Sequence, residues 1–207
     1  DIEGLDWAMI SKIDLEEAVA PRLAGDQEDF YTKYVQQYGY YDLFLIHPEG
    51  EVFYSVAKEA DYGTNMVNGT YADSGLGKLV RRVVEQEKFG FADFEPYAPS
   101  DGKPAAFIAQ PVMHEGKVEL IVALQLPLSA INSIMQEREG MGETGETYLV
   151  GPDHLMRSDS YLDSEHHSVQ ASFADPATGS VKTEAARKAL AGETSEGVIT
   201  DYNGQSV

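Results

Sequence analysis

Residues 40–65 read Tyr-Tyr-Asp-Leu-Phe-Leu-Ile-His-Pro-Glu-Gly-Glu-Val-Phe-Tyr-Ser-Val-Ala-Lys-Glu-Ala-Asp-Tyr-Gly-Thr-Asn. Two short runs rich in β-branched and aromatic residues flank a Pro and Gly turn, which predicts a β-hairpin that delivers the chain to a polar loop. Working outward, residues 14–38 are helix-compatible, with Leu15, Ala18, Val19, Leu23, Phe30, Tyr34 and Val35 near helical spacing. Pro21 and Gly25 interrupt that pattern, so two helices meeting at a turn around residues 23–26 are expected. Downstream, residues 74–87 place Leu76, Leu79, Val80, Val83 and Val84 on one face and Lys78, Arg81, Arg82 and Glu85 on the other. That is an amphipathic helix capped by Asp73 or Ser74.

Strand-like runs follow at 89–94, 105–113 and 118–126, punctuated by Gly102 and Gly116. Five strands with one helix inserted after the second predict a small α+β sheet domain. Pro127 stands at the first turn of an expected helix through Glu139, where its missing N–H costs least. A second series has strand candidates at 146–150, 154–158 and 197–202 and a short helix at 183–190, the parts of a second, smaller sheet.

The composition narrows the function. A chain of 207 residues with 43% hydrophobic residues buries a proper core. Thirty-five acidic against 15 basic residues leave a formal charge of −20, which disfavours nucleic acid and anionic membrane surfaces as partners. With no cysteine, disulfides and thiol catalysis are out. No apolar run approaches the ~20 residues that span a bilayer, and no secretory signal pattern is visible.

Chemical motifs are weak. Gly140, Gly142 and Gly145 spell G-x-G-x-x-G, but a dinucleotide site needs a strand before and a helix after, and here the predicted order is reversed. His166 and His167 beside Asp163 and Glu165 lack a second cluster at metal-ligand spacing. Asn68-Gly69-Thr70 fits the short glycosylation pattern alone. Serines 55, 74, 100, 158 and 160 lack a nucleophile elbow, and no histidine stands at a recognisable spacing from them. No catalytic residue, metal or cofactor is expected.

Several separated blocks carry a family resemblance: Tyr40-Tyr41-Asp42-Leu43-Phe44-Leu45-Ile46, Gly63-Thr64-Asn65, Tyr97-Ala98-Pro99-Ser100, Pro104-Ala105-Ala106-Phe107-Ile108-Ala109, and Gly142-Glu143-Thr144-Gly145-Glu146-Thr147-Tyr148-Leu149-Val150-Gly151. Together they resemble the double-Cache domains, the PAS-like extracytoplasmic sensors of bacterial chemoreceptors and sensor histidine kinases. The resemblance implies an α+β fold of two antiparallel five-stranded modules behind a long N-terminal helical segment. It divides the chain into residues 15–38 as helix, 39–139 as the membrane-distal module and 140–207 as the membrane-proximal module. Residues 1–14 resemble the last strand of the proximal module, displaced to the front. Circular permutation is preferred to a tandem module, and pairing of residues 6–13 with 198–202 is the expectation that separates them.

The resemblance also implies a function. The chain is expected to be a periplasmic, non-enzymatic sensing domain of an inner-membrane receptor, attached through transmembrane helices outside this sequence. A homodimer through the long helices is the expected assembly. A small polar ligand would lie in the distal module, between sheet and covering loops. Tyr97, in Glu95-Pro96-Tyr97, is the leading candidate. Lys58 would pair a carboxylate, Asp61 or Asp93 an ammonium group, and Tyr54, Tyr62, Asn65 and Phe107 would complete the lining. The arginine and Trp-Tyr that amino-acid receptors of the family carry in the covering loop are replaced by Asp61-Tyr62-Gly63-Thr64-Asn65, so bidentate capture of an α-carboxylate is not implied. Arg157 and Asp159 are expected to form a structural ion pair or turn anchor. An interaction module and a hydrolase or lyase on the same fold are the alternatives.

Overall fold

The structure, a computed structural model, describes residues 12, 18–22 and 25–207. The displaced strand expected at residues 1–14, and its pairing with 198–202, lie outside the described residues apart from Lys12. So do residues 14–17 of the first of the two helices expected in 14–38.

Helix α1, Phe30–Tyr38, starts at Asp29, whose carboxylate accepts from the backbone N–H of Tyr31 and Thr32 at 2.8 and 2.9 Å. It ends at Gly39 in the left-handed region. The predicted hairpin follows as β1, Asp42–Ile46, and β2, Val52–Ser55, paired antiparallel. Its turn requires glycine at position 50: φ is +102°, and a Cβ would stand 2.6 Å from Asn65 Oδ1 and Val67 Cγ2.

An irregular loop then leads to α2, Gly75–Gln86, capped by the Ser74 hydroxyl accepting from Gly77 N–H at 3.1 Å. The strands β3, Gly90–Tyr97, β4, Lys103–His114, and β5, Lys117–Gln125, complete an antiparallel sheet in the order β2-β1-β5-β4-β3. A 3₁₀ turn, Ala98–Ser100, joins β3 to β4.

Side chains alternate across this sheet as the two-residue strand period dictates. Phe44, Ile46, Phe107, Ala109, Ile121 and Ala123 point to an inner face, covered by Leu76, Leu79, Val80 and Val83 of α2. Leu43, Leu45 and Tyr54 point to the outer face, where Val35 and Tyr31 of α1 meet them. Both faces are therefore dry, which is why all five residues of β1 are buried. Met66, fully buried, anchors the covering loop in the inner core. Arg81 pins the same loop to α2 by donating to the carbonyl of Ala72 at 2.6 Å.

Beyond the sheet lie α3, Leu128–Met135, α4, Val169–Ala174, α5, Pro176–Gly179, and α6, Glu184–Leu190. The second five-stranded sheet expected in 140–207 is not found among the described residues. Its strand candidates make single bridges, Val150 with Met156 and Thr200 with Ser206. One reason is local: the N–H of Leu149, which a neighbouring strand would use, donates instead to the Ser158 hydroxyl at 2.9 Å. The tail forms a hairpin, with Ile199 and Val207 exchanging two backbone hydrogen bonds of 2.8 and 2.9 Å.

The glycine-rich turn at 140–145 is organised by Arg138, which donates to the carbonyls of Gly142, Glu143 and Gly145 at 2.9, 2.7 and 2.9 Å. Carbonyls gathered round a guanidinium are the opposite of the N–H cradle that a pyrophosphate needs.

A buried acidic site at the end of the sheet

On the inner face the strand period places two polar residues in apolar phase. Asp42 precedes Phe44 and Ile46, and Gln125 follows Ile121 and Ala123; both are buried, and they face each other across β1 and β5. Asp42 Oδ1 accepts from the N–H of Leu43, Val56 and Ala57 at 2.7, 2.9 and 3.0 Å, and Oδ2 accepts from the Ser55 hydroxyl at 2.7 Å. Burial pushes its pKa up to about 6 despite those bonds.

The covering loop brings two further carboxylates to this end of the sheet. Asp61, fully buried in a turn that Thr64 closes, accepts from the Tyr97 hydroxyl at 2.5 Å on Oδ2. Its Oδ1 has no hydrogen-bond partner. Burial raises the Asp61 pKa, and neighbouring Glu59 raises it further. Glu59 accepts from the Tyr41 and Ser100 hydroxyls, each at 2.7 Å. Tyr41 is pushed up to about 12, first by that bond to Glu59. Gln125 donates from Nε2 to Ser100 Oγ at 3.3 Å, and its Oε1, like Asp61 Oδ1, is buried without a partner. Phe107 forms the apolar floor, edge-on to Tyr97 at 4.9 Å between ring centroids.

A cavity of about 410 Å³ abuts the cluster, sharing Tyr41, Ser100 and Gln125 with it and otherwise walled mainly by Phe94, Pro104, Leu126, Leu128 and Val169. Its volume falls in the range of small-molecule sites.

Of the eight residues expected to line the site, Tyr97, Asp61 and Phe107 are brought together. The five others are placed elsewhere. Tyr54 faces α1 on the opposite side of the sheet, donating to Asp29 at 2.8 Å. Asn65 staples the hairpin turn, its Oδ1 taking the N–H of Val67 and Asn68 and its Nδ2 reaching the carbonyl of Glu49. Lys58 and Tyr62 are on the exposed side of the covering loop, the ammonium 5.5 Å from the ring centroid. Asp93 is engaged by Arg157, which donates from Nε and Nη2 at 2.8 and 2.9 Å. Arg157 is thus an ion-pair anchor as expected, but its partners are Asp93 and Asp153. Asp159 instead binds Asn132 and the N–H of Val169, each at 2.7 Å.

Sequence reasoning missed Asp42, Glu59, Ser100 and Gln125. The signal for two of them was available: Asp42 and Gln125 occupy the buried phase of alternating strands, where a polar residue is the informative exception.

In the C-terminal half, Asp163 accepts or shares protons with both histidines, His166 Nδ1 at 3.1 Å and His167 Nδ1 at 2.8 Å. His167 is buried beneath the ring of Tyr202, 4.2 Å away between centroids.

No family model matches the chain, and no curated protein matches it in sequence. Solved structures do. The extracellular domain mmHK1S-Z3, from a protein assigned as a histidine kinase, superposes with a TM-score of 0.55 at 15% identity, over 86% of this chain and 69% of that one. The sensor domain of the histidine kinase DctB from V. cholerae matches at 16% identity and a TM-score of 0.46, over 67% of this chain and 49% of that one. The ligand-binding domain of the Pseudomonas fluorescens chemoreceptor CtaA, solved with L-serine, matches at 15% identity and a TM-score of 0.46, over 89% and 73%. The chain spans about half the length of the DctB sensor domain. The chain shares its fold with the mmHK1S-Z3 extracellular domain.

Proposed function

We propose that this chain is the extracytoplasmic small-molecule sensing domain of a bacterial transmembrane receptor, a chemoreceptor or sensor histidine kinase. Its ligand binds at the end of the sheet beside Asp61, Tyr97 and Gln125. The observation that carries this reading is the pair of buried, unsatisfied acceptors, Asp61 Oδ1 and Gln125 Oε1. A buried polar atom without a partner costs about 1–3 kcal/mol, and a ligand donor that satisfies it recovers that cost.

The covering loop that supplies Asp61 and Glu59 also closes the site, so ligand and loop position are coupled. A signal then requires only that one arrangement of loop and sheet bind ligand better than the other. The Arg157–Asp93 contact ties β3, which ends at Tyr97, to the C-terminal segment and offers a route by which that difference leaves the sheet. In this reading residues 39–139 form the distal module and 140–207 belong to the proximal one. No helix among the described residues is long and apolar enough to cross a membrane. Catalysis has no place in the mechanism.

A homodimer through α1 fits the same reading, because Phe30 and Tyr38 are 64% and 60% exposed on that helix. Sedimentation of the wild type and of Phe30→Glu tests it; a monomer in both removes the dimer.

A thermal-shift screen of amines, amino acids, organic acids and nucleobases tests the function, since a ligand that binds only the folded chain raises its stability. Hits that disappear in Tyr97→Ala support the site, and hits that persist place it elsewhere.

A further inference from the structure

The class of ligand follows from what the site has left to offer. Among the described residues at the cluster, every side-chain hydroxyl is already spent on a carboxylate: Tyr97 on Asp61, Tyr41 and Ser100 on Glu59, Ser55 on Asp42. The Gln125 amide N–H is turned to Ser100. What remains is acceptor only, namely Asp61 Oδ1 and Gln125 Oε1. Asp61 is 0% and Gln125 5% exposed, so bulk solvent reaches neither acceptor.

A carboxylate or phosphate brought here would add charge of the same sign to Asp42, Glu59 and Asp61 and meet no side-chain donor that is not already turned to another group. An alcohol would satisfy one acceptor and leave the charge uncompensated. An ammonium group supplies up to three donors and the missing positive charge together. Its hydrocarbon would extend into the adjoining cavity, whose walls at Phe94, Leu126, Leu128 and Val169 are apolar. Lys103 lies at that cavity on the exposed side, and no arginine lines it, so nothing buried is set to hold a second, anionic end.

We infer that the ligand is an organic amine of net positive charge, bound with its ammonium between Asp61 Oδ1 and Gln125 Oε1 and its carbon chain in the adjoining cavity. This inference rests on the sensor reading above. It narrows that reading to compounds that carry no paired carboxylate.

The test is differential scanning fluorimetry and calorimetry on the full chain at neutral pH, with three matched sets. These are amines (methylamine, ethanolamine, putrescine), zwitterions (glycine, GABA) and acids (acetate, glycolate, succinate). Amines are expected to raise the melting temperature by about 5–10 °C at roughly 100-fold above Kd. Asp61→Asn is expected to weaken the best amine about 100-fold. Gln125→Met leaves Asp61 in place and is expected to weaken it about tenfold, so the inference stays testable if the Asp61 variant fails to fold. Stabilisation by acids or zwitterions but not by amines, lost on either substitution, overturns the amine class and leaves the sensor site standing. No stabilisation by any compound in the three sets, or amine binding unchanged in Gln125→Met, overturns the inference outright; silence across the wider metabolite screen would remove the sensor reading with it.

Discussion

Arg157 reaches from the C-terminal segment to the sheet and closes a two-point contact on Asp93 of β3, Nε to Oδ1 at 2.8 Å and Nη2 to Oδ2 at 2.9 Å. The arginine side chain is 10% exposed and the aspartate 43%. A forked contact of this kind fixes orientation as well as distance, and it lies on the same strand as Tyr97, four residues before it. The pair is expected to show a coupling of about 1–3 kcal/mol in a double-mutant cycle of Asp93→Ala and Arg157→Ala, read by urea denaturation. A coupling near zero would mean that the C-terminal segment is held to the sheet by apolar packing alone.

Gly151 offers an independent way to break the same contact. A Cβ there would stand 2.1 Å from Arg157 Nη2, so the guanidinium must move. Gly151→Ala is expected to destabilise the chain by about 1–3 kcal/mol and to add little once Asp93 is already alanine. Additive losses in the double variant would show that the glycine matters for another reason.

Tyr97→Phe removes the hydroxyl that Asp61 depends on and leaves the buried carboxylate with no side-chain partner. The expected cost is about 1–3 kcal/mol. Burial already holds the Asp61 pKa above its ordinary range, and losing the Tyr97 donor raises it further. The penalty should therefore shrink as pH falls and the carboxyl takes up a proton. A pH-independent loss in denaturation experiments would contradict this assignment of the bond.

Asp42 gives the stability of the chain a specific pH dependence. Its folded pKa is about 6 against an ordinary 3.8, so between these values the folded chain holds a proton that the unfolded chain has released. Stability is full below the unfolded value and is lost as pH rises through the folded one, by about 3 kcal/mol in total. Asp29, Asp153 and Asp163 have lowered values and act below this window, so they oppose it little. Asp42→Asn keeps the Oδ1 acceptor and lets Ser55 accept from the new amide. The variant is expected to flatten the fall between about pH 4 and pH 6. An unchanged slope would move the titration to another group.

The sheet was legible from residues 40–65 onward because β1 to β5 and α2 obey simple periods, and local hydrogen bonding agrees with them. Pro48 and Gly50 mark the hairpin turn, and Ser74 caps α2 as its position suggests. The C-terminal half was less legible. Residues 146–150 and 154–158 look like strands by composition, yet Gly151 and the Ser158 hydroxyl turn them into a tight loop with a single bridge. At the candidate site, Tyr97 and Asp61 were expected from resemblance and from charge, and they are hydrogen-bonded to each other. Tyr54 and Asn65 were misplaced, because a residue's face depends on strand phase and on turn geometry that composition does not report. Glu59 and Ser100 carry no local signature at all. They meet only because the covering loop folds back over the 3₁₀ turn, a contact separated by 41 positions in the chain.

The most direct test of the account is a crystal structure of the chain with the amine that gives the largest thermal shift. The ligand nitrogen is expected within hydrogen-bond reach of Asp61 Oδ1 and Gln125 Oε1, with Tyr97 still donating to Asp61 Oδ2 and the ligand's carbon chain against Phe94 and Leu126. A ligand seated in the C-terminal half, or one whose nitrogen contacts neither orphan acceptor, would contradict it.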